Sequence, residues 1–485
     1  MSTDILTTTI DAVTSVIPSG TFDQHSVLWA LILGIVLAFL LGAGMGANDV
    51  SNAFGTSVGS GALTITKAYI LASIFETLGS VLVGWSVTDT MRKGVVDTDM
   101  FNDYPKEFLL GQVAILGGCA SWLLLATVLH MPVSTTHSLV GATLGFSLVM
   151  RGFEGIRWIK IGQIVASWFI SPVLSGLISA CLYMIVDFVV LRRNRPLVCG
   201  LRALPFFYFV CVAFNVMMVT WDGSRLIRLN EIPWWGALLI SIVIGIVAGL
   251  VVQFFVKPRI KRKIEGSEKH EAAEMDVKVE TVPETKEIET QLRFSDINGP
   301  RTFFSWFLPA KNRQEDEKTL QLFSTIQVFT ACFAGFAHGA NDVSNAIAPL
   351  AALISTYKEK STEQKGEVPI YVLLYGVFAI CVGLCLLGHR VIRTVGTNMS
   401  HVNPASGFTI EFGAAMTALL ASKAGLPIST THCLVGSVVA VGTVKSGEGI
   451  RWKLFGGIVV SWVVTVPVSG LISAAIMLLL KWIAL

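Results

Sequence analysis

The sequence is poor in charged residues. Only 14% of its 485 residues are Asp, Glu, Lys or Arg, whereas about 25% is usual for a soluble protein. Several long stretches contain no charged side chain at all, among them 27–44, 108–149, 161–184 and 454–480. Because about 18 apolar residues suffice to span a bilayer, these stretches exclude an ordinary soluble domain and indicate a membrane protein. The net charge of +3 is too small to indicate a nucleic-acid partner.

Paired cysteine motifs and catalytic constellations are missing as well. The eight cysteines are scattered, almost all of them in apolar stretches, and none forms Cys-x-x-Cys, so we interpret them as packing residues. No Cys or His cluster indicates a transition-metal site, and no nucleophile is matched with metal ligands, so we expect neither a resident cofactor nor an enzyme. No basic leader precedes the first apolar stretch, which is long enough to remain in the membrane.

Apolar segments of membrane-spanning length dominate the rest of the sequence. We predict an all-α membrane protein with about twelve transmembrane segments, seven before a polar stretch at 257–320 and five after it. The fourth and eleventh segments are short, and re-entrant hairpins are an alternative to full spans there. The predicted segments are 27–46, 67–86, 108–129, 133–150, 161–191, 204–221, 233–256, 321–338, 369–389, 408–424, 428–444 and 454–484.

Charge asymmetry orients these segments. The stretch 257–320 has 13 basic and 13 acidic residues, which indicates a solvated, largely disordered linker. Five of its basic residues fall between Lys257 and Lys263, beside a membrane end, whereas residues 1–26 contain three aspartates and no Lys or Arg. By the positive-inside rule the linker is cytoplasmic and the N-terminus is extracellular, and five crossings after the linker make the C-terminus extracellular too.

Four short motifs occur twice in the chain. Gly-Ala-Asn-Asp-Val-Ser-Asn occupies 46–52 and 339–345, and Pro-x-Ser-Thr-Thr-His occupies 132–137 and 427–432. Gly-Ile-Arg-Trp and Ser-Gly-Leu-Ile-Ser-Ala recur as well, and the four offsets are 293, 295, 294 and 294. A near-constant offset indicates that one unit of several segments has been duplicated.

The duplicated unit predicts the architecture. Its two copies occupy 27–191 and 321–485, and they are connected by segments at 204–256 and by the linker. Because seven segments, an odd number, separate the starts of the copies, the second copy enters the membrane from the opposite side. Two inverted repeats, with broken helices or hairpins at the core, are the architecture of many secondary transporters, which bind substrate near the midplane and work by alternating access.

The first motif predicts a cation site. Asp49 and Asp342 lie beside Asn48 and Asn341 within apolar segments, where an unpaired charge is costly. Flanking glycines allow the helix to break and to expose backbone carbonyls. These carbonyls, with carboxylate and amide oxygens, form a hard cage that suits sodium. The alternative is that Asp and Asn only cap and pin a kinked helix.

The second motif predicts an oxyanion site. In each copy proline ends one helix, and Ser or Thr caps the next. Hydroxyls and free backbone N–H groups at a helix N-terminus favour an anion, and two copies facing each other can hold a tetrahedral anion from both ends. Neither motif contains Lys or Arg, so we expect anion binding to depend on bound cations; ordinary helix caps are the alternative. The residues are Ser134, Thr135, Thr136, Ser429, Thr430 and Thr431.

Histidines and two glutamates are the other notable polar residues in apolar segments. We interpret His137 and His432, which follow the Ser-Thr-Thr runs, as neutral residues that orient a hairpin and not as obligate proton relays. His338 has no counterpart histidine in the first copy, which argues against an essential symmetric role. Glu76 and Glu411 are functional by default as intramembrane acids. They do not superpose under the repeat, and Glu411 falls near the start of its segment, where interfacial water can reach it.

With these residues, the sequence resembles the inorganic phosphate transporter (PiT) family of sodium–phosphate symporters. The paired Gly-Ala-Asn-Asp-Val-Ser-Asn and Pro-x-Ser-Thr-Thr-His motifs carry the resemblance, which covers essentially every membrane segment. It implies sodium-driven phosphate import at the plasma membrane, twelve spans with both termini extracellular, and a homodimer, which is frequent in the family. It also implies sodium binding by Asn48, Asp49, Asn341 and Asp342, phosphate binding by the Ser-Thr-Thr runs together with Asn52 and Asn345, and transport-essential acids at Glu76 and Glu411.

Three alternative functions stay open. The nearest is the same fold coupled to protons or carrying sulfate. The second is a membrane receptor that transports nothing. The most remote is a membrane enzyme, such as a phosphatase that recognises phosphate at the Ser-Thr-Thr runs.

Overall fold

The part of the chain that the structure describes is helical. In the computed structural model, the described residues form helices joined by short turns and contain no β-strand. The all-α class predicted from the sequence is therefore confirmed. The described residues are 22–84, 88, 98–221, 223, 228–275, 298–310, 313–364, 366, 368–389, 391–392, 401–424, 428–445 and 451–485.

The helices follow the two copies of the duplicated unit. The first copy contains α1 (Leu28–Asp49), α2 (Ser51–Gly59), α3 (Ile65–Gly79), α4 (Pro105–Val128), α5 (Thr135–Arg151) and α6 (Trp158–Val186). The connection contains α7 (Pro196–Thr220), α8 (Trp234–Val251), α9 (Lys257–Met275) and α10 (Pro300–Phe307). The second copy contains α11 (Glu317–Glu359), α12 (Ile370–Leu387), α13 (Pro404–Lys423), α14 (Thr430–Lys445) and α15 (Trp452–Ala484). Single π-helical turns, Ser80–Gly84, Asp187–Leu191 and Val252–Val256, extend α3, α6 and α8.

Nine helices of the described residues are long and apolar enough to cross a membrane. Three of the twelve predicted segments are not among them, and these coincide with α5, α13 and α14, of 17, 20 and 16 residues. At about 1.5 Å per residue, α5 and α14 are shorter than the roughly 30 Å hydrocarbon core, so they suit the re-entrant hairpins that the sequence left open. A multi-pass membrane protein is confirmed, whereas the number twelve stays a prediction.

The predicted helix break at the Asn-Asp motifs is wrong. In the second copy α11 runs without interruption for 43 residues and carries the motif in its middle. In the first copy α1 ends at Asp49 and α2 begins at Ser51, but Val50 between them keeps helical angles, φ −61° and ψ −24°. The backbone carbonyls of the motifs therefore remain in helices and are not exposed by unwinding.

Close packing explains the motif glycines instead. A side-chain carbon on Gly46 would collide with the backbone of Ile380 on α12, and one on Gly339 would collide with the backbone of Glu76 on α3. The glycines thus let neighbouring helices approach backbone to backbone, which is the usual role of small residues between membrane helices. Sequence alone does not distinguish this use of glycine from a flexible break.

Two helices lie within the predicted linker. Within 257–320, residues 276–297 lie outside the described residues, and the rest includes the helices α9 and α10. The helix α9 continues directly from α8, and it contains a Lys261–Glu265 pair at 3.6 Å with the i,i+4 spacing that supports a helix. Backbone carbonyls of α10 bind the Arg192 side chain, at 3.0 Å for Trp306. The described parts of the linker are thus partly helical, and a largely disordered linker stays a prediction for the stretch as a whole.

Helices of each half pack against helices of the other half around the centre of the molecule. The short helix α5 of the first half packs against α15 of the second, and α14 of the second packs against α6 of the first. Glycines make both contacts close: a side-chain carbon on Gly145 would collide with the backbone of Gly470, and one on Gly436 with the backbone of Pro172. This reciprocal packing brings the beginnings of α5 and α14, with their Ser-Thr-Thr runs, to the interface between the halves.

Candidate functional site

The repeated Asn-Asp motifs meet in one buried cluster. Asp49 lies at the end of α1, and Asp342 and His338 lie in the middle of α11. Each of the three offers one ligand atom, and these atoms all lie within 4.8 Å of one another. None of the three residues is more than 2% exposed. Two carboxylates so close together repel each other when both are charged, so the arrangement favours a cation or a proton between them.

Each carboxylate of the cluster is bound by the short helix of its own half. The Thr135 hydroxyl, in the first turn of α5, donates a hydrogen bond to Asp49. The Thr430 hydroxyl, in the first turn of α14, donates to Asp342 at 2.8 Å. These equivalent residues of the two copies make equivalent contacts, so the duplication seen in the sequence is also a duplication of geometry.

The last asparagine of each motif reaches across to the other half. The Asn52 amide nitrogen donates to the Thr431 hydroxyl at 2.9 Å, and the Asn345 amide nitrogen donates to the Thr136 hydroxyl at 3.1 Å. The same amide nitrogens lie 3.5 and 3.3 Å from the carboxylates of their own motifs. Each motif therefore contacts α5 and α14 together, and the predicted cation and anion residues form one connected group.

The beginnings of α5 and α14 supply donors for an anion. Ser134 and Ser429 are the N-caps, and their side-chain oxygens accept the backbone N–H groups of His137 and His432 at 3.4 and 3.3 Å. This confirms the caps expected from the sequence, and each serine keeps its hydroxyl hydrogen available for another partner. Two helix N-termini with free N–H groups thus converge beside the carboxylate cluster.

Asn48 holds the turn between α4 and α5. Its amide oxygen accepts the backbone N–H of Val133 at 3.1 Å, and its amide nitrogen donates to the Thr127 hydroxyl at 3.1 Å and to a carbonyl of the turn at 2.9 Å. Asn341 accepts a hydrogen bond from Ser422 at 3.3 Å at the end of α13, in the equivalent place of the second half. The structure thus gives Asn48 a positioning contact with the hairpin, and its role as a sodium ligand stays a prediction.

His338 joins the cluster to Glu76. Its Nδ1 lies 3.2 Å from a Glu76 carboxylate oxygen, and its Nε2 lies 3.2 Å from Asp342. Glu76 comes from α3 of the first half and is fully buried. The missing histidine of the first copy argued against an essential symmetric role for His338, and the structure places this ring between two acids at one of the two repeat-related positions only. The available signal was its spacing of four residues from Asp342, which puts both on one helix face.

Glu411 occupies a separate polar cage. The Thr56 and Ser57 hydroxyls each donate to it at 2.6 Å, the Thr330 hydroxyl at 3.0 Å and the Gln327 amide at 3.3 Å. Glu411 is fully buried, and it lies about two turns inside α13, which begins at Pro404. The expected contact with interfacial water is therefore wrong. Sequence reasoning missed all four partners, which come from α2 and α11 of different halves. These partners are neutral, so the carboxylate charge remains to be balanced by a cation or a proton.

Comparisons with known proteins identify relatives over nearly the whole chain. The sequence profile of the phosphate transporter family matches residues 45–473. Sodium-dependent phosphate transporter 1-A of Danio rerio is 34% identical, and the match covers 98% of this chain and 98% of that protein. Sodium-dependent phosphate transporter 2 of Felis catus is 33% identical, with 94% and 98% covered.

A solved structure gives the same result at the level of the fold. The structure titled "The sodium-dependent phosphate transporter" superposes with a TM-score of 0.77 at 32% identity, and the match covers 94% of this chain and 99% of that one. Sequence and fold therefore agree over nearly the whole length of the protein. The chain belongs to the phosphate transporter family.

Proposed function

We propose that this protein is a symporter that imports inorganic phosphate with sodium across the plasma membrane by alternating access. One observation supports this most: each Asn-Asp motif contacts the beginnings of both short helices. The motif at 46–52 contacts Thr135 of α5 and Thr431 of α14. The motif at 339–345 contacts Thr430 of α14 and Thr136 of α5. A cation at the carboxylates therefore fixes the same side chains that bind an anion. Binding of either ion favours binding of the other, which is the requirement for coupled transport.

Sodium binds at Asp49 and Asp342. Carboxylate, hydroxyl and amide oxygens are ligands that a small hard cation prefers. Asn48 and Asn341 are assigned to this site as the sequence predicts: Asn48 holds the turn before α5, and Asn341 accepts a hydrogen bond from Ser422 of α13. A cation here relieves the repulsion between two carboxylates that no Lys or Arg among their described partners balances.

Phosphate binds between the beginnings of α5 and α14. Its oxygens accept hydrogen bonds from backbone N–H groups and from hydroxyl and amide donors, and the helix dipoles favour its charge. Glu76 and Glu411 are the further acids that transport requires: Glu76 acts on the cluster through His338, and Glu411 ties the two halves together. The phosphate ligands are Ser134, Thr135, Thr136, Ser429, Thr430, Thr431, Asn52 and Asn345.

The two halves have opposite orientations in the membrane, with both termini extracellular and the linker cytoplasmic. Contacts between distant loops support this assignment. The Gln24 side chain binds the Tyr357 carbonyl at 2.8 Å, and Thr362 binds Asn102, and the predicted topology places all four residues outside. Arg192 contacts the linker helix α10, and both are predicted to lie inside. Two copies of the protein form a homodimer.

The test is uptake of labelled phosphate by the purified protein in liposomes. An inward sodium gradient should drive accumulation, and replacement of sodium by choline should abolish it. Undiminished uptake in choline, or uptake driven equally by a proton gradient, would contradict sodium coupling. Inhibition by sulfate as strong as that by unlabelled phosphate would favour the sulfate alternative. A folded protein that moves no phosphate in either direction would favour the receptor.

A further inference from the structure

Four aromatic rings contact one another in a continuous row, which we call the stack, directly behind the two short-helix beginnings. The two histidine rings meet edge to face, and each is tilted against its neighbouring tryptophan. The ring centroids of Trp168 and His137 are 3.9 Å apart, those of His137 and His432 are 4.4 Å apart, and those of His432 and Trp462 are 3.7 Å apart. The two tryptophans occupy equivalent positions of the repeat, on α6 and α15. The stack therefore runs from one half of the protein to the other, with the two histidines in its middle.

Each histidine of the stack contacts both halves. His432 stacks on the indole of its own half, and its Nδ1 lies 3.2 Å from the backbone carbonyl of Trp168 in the other half. His137 contacts the indole of Trp168 in its own half, and its ring meets that of His432 in the other half edge to face. Both histidines are only 1% exposed. The hydrogen bond and the two ring contacts hold His432 from three sides, so its ring has little freedom to move.

The histidines are also attached directly to the proposed phosphate ligands. Their backbone N–H groups bind the cap residues, and the residues that precede them, Thr136 and Thr431, accept the cross-half hydrogen bonds from Asn345 and Asn52. The Thr136 hydroxyl also donates to a backbone carbonyl of the opposite hairpin at 3.2 Å. Any change in the thickness or tilt of the stack would therefore move one helix beginning relative to the other.

We propose that the Trp168–His137–His432–Trp462 stack sets the separation and mutual orientation of the two helix beginnings and so determines phosphate affinity. The four side chains are positioning residues that do not touch the anion. The inference rests on the proposed function, because it assigns the space between the helix beginnings to phosphate. Its physical basis is that the proposed phosphate ligands are neutral donors, and hydrogen bonds weaken steeply as distance and angle depart from their optima.

The test compares two substitutions of Trp462 with a matched control. Trp462→Leu removes the outer ring, and Trp462→Phe keeps an aromatic ring in its place. Trp122 is the control, because it is a buried tryptophan that bonds Thr465 across the α4–α15 contact but lies outside the stack. The KM for phosphate and the half-saturating sodium concentration are measured in liposomes. The phosphate Kd is measured independently, from phosphate-dependent thermal stabilisation in sodium-containing detergent solution.

We expect Trp462→Leu to raise both the KM and the Kd for phosphate about two- to tenfold, the value of one aromatic contact. Trp462→Phe should restore most of the affinity. Trp122→Leu should lower the amount of folded protein without changing the KM. A second variant, His432→Phe, keeps a ring in the stack but loses the bond to the Trp168 carbonyl, and it should raise the KM less than Trp462→Leu does.

Several results would overturn the proposal. One is an unchanged phosphate KM in Trp462→Leu, with maximal uptake that falls only in proportion to folded protein. Another is an equal rise of the KM in Trp122→Leu. If Trp462→Leu does not fold, an unchanged phosphate KM in folded His432→Phe has the same meaning. Wild-type protein that neither transports phosphate nor is stabilised by it would refute the proposed function itself, and this outcome is separate from any difference between variants.

Discussion

Replacement of Asp49 by asparagine removes one of the two acids in the central cluster. Because the ligand atoms of Asp49 and Asp342 lie within 4.8 Å, two charged carboxylates there repel by about 3.5 kcal/mol at an effective dielectric constant near 20. A monovalent cation midway between them is attracted to each carboxylate by about 7 kcal/mol on the same scale. The repulsion between the carboxylates is the same in wild type with and without sodium, so it does not enter the difference in sodium binding. Asp49→Asn therefore loses about 7 kcal/mol of attraction, which corresponds to roughly 100,000-fold weaker sodium binding as an upper limit.

The assay measures phosphate uptake against sodium concentration in liposomes at a fixed phosphate concentration. We expect the half-saturating sodium concentration of Asp49→Asn to rise by up to this factor, with loss of measurable uptake as the practical limit. The thermal unfolding temperature gives a second readout, because the variant should be more stable than wild type without sodium and should gain less stability when sodium is added. The higher stability without sodium reflects the loss of the repulsion between the two carboxylates.

Asp187→Asn is the matched control for this substitution. Asp187 is also a fully buried acid, but it is bound by Arg192 and by Arg313 at 2.6 Å and lies outside the central cluster. Loss of its charge removes the shared carboxylate partner of two partly buried arginines, so stability should fall while the sodium dependence of uptake stays that of wild type. A wild-type half-saturating sodium concentration in Asp49→Asn, or an equal shift in Asp187→Asn, would refute the assignment of sodium to Asp49.

Three other predictions follow from single contacts of the site. Glu411→Gln keeps the side-chain shape but removes the charge that four neutral donors surround. Sodium-driven uptake per folded protein should fall about tenfold or more. Uptake equal to that of wild type would show that the charge is unnecessary. Ser134→Ala and Ser429→Ala each remove an N-cap worth about 1 kcal/mol together with an anion donor, and the phosphate KM should rise about fivefold. Equal KM values in wild type and both serine variants would place phosphate elsewhere. Asn48→Ala loses three hydrogen bonds to the hairpin. It should cost about 3 kcal/mol of stability, seen as a lower unfolding temperature. Unchanged stability together with a higher half-saturating sodium concentration would make Asn48 a direct sodium ligand and not a positioning residue.

The apolar segments were enough to predict the fold class, and the duplicated motifs were enough to single out the residues that the structure brings together around Asp49 and Asp342. Segment positions depend on long uncharged stretches, a local property that tertiary contacts do not alter. The glycines were misread because a break and a close helix contact both require a small residue, and only the presence of the Ile380 and Glu76 backbones against Gly46 and Gly339 separates the two. The helix α10 in the linker was not predicted, because contacts such as Arg192 with α10 join residues more than 100 positions apart.

The residues around Glu411 and His338 show a second limit of sequence reasoning. The duplication directs attention to residues that occur twice, and neither of these has an identical counterpart. Glu411 acquires its partners from α2 and α11, and His338 acquires Glu76 from α3, so both arrangements exist only after the two halves have packed. A single acid in an apolar segment predicts that partners exist, but it does not identify them.

The spacing within the repeated motif explains how a short stretch of helix links the halves. Asp49 and Asn52, three residues apart, lie on one helix face. The aspartate binds the short helix of its own half through Thr135, and the asparagine binds that of the other half through Thr431. The remaining motif residues support this geometry: the glycine allows close packing, the first asparagine holds the hairpin turn, and Ser51 bonds a carbonyl of the preceding turn at 3.0 Å. An acid and an amide one turn apart therefore suffice to connect the motif to both short helices, and under the proposed function a cation at the acid would act on both of them.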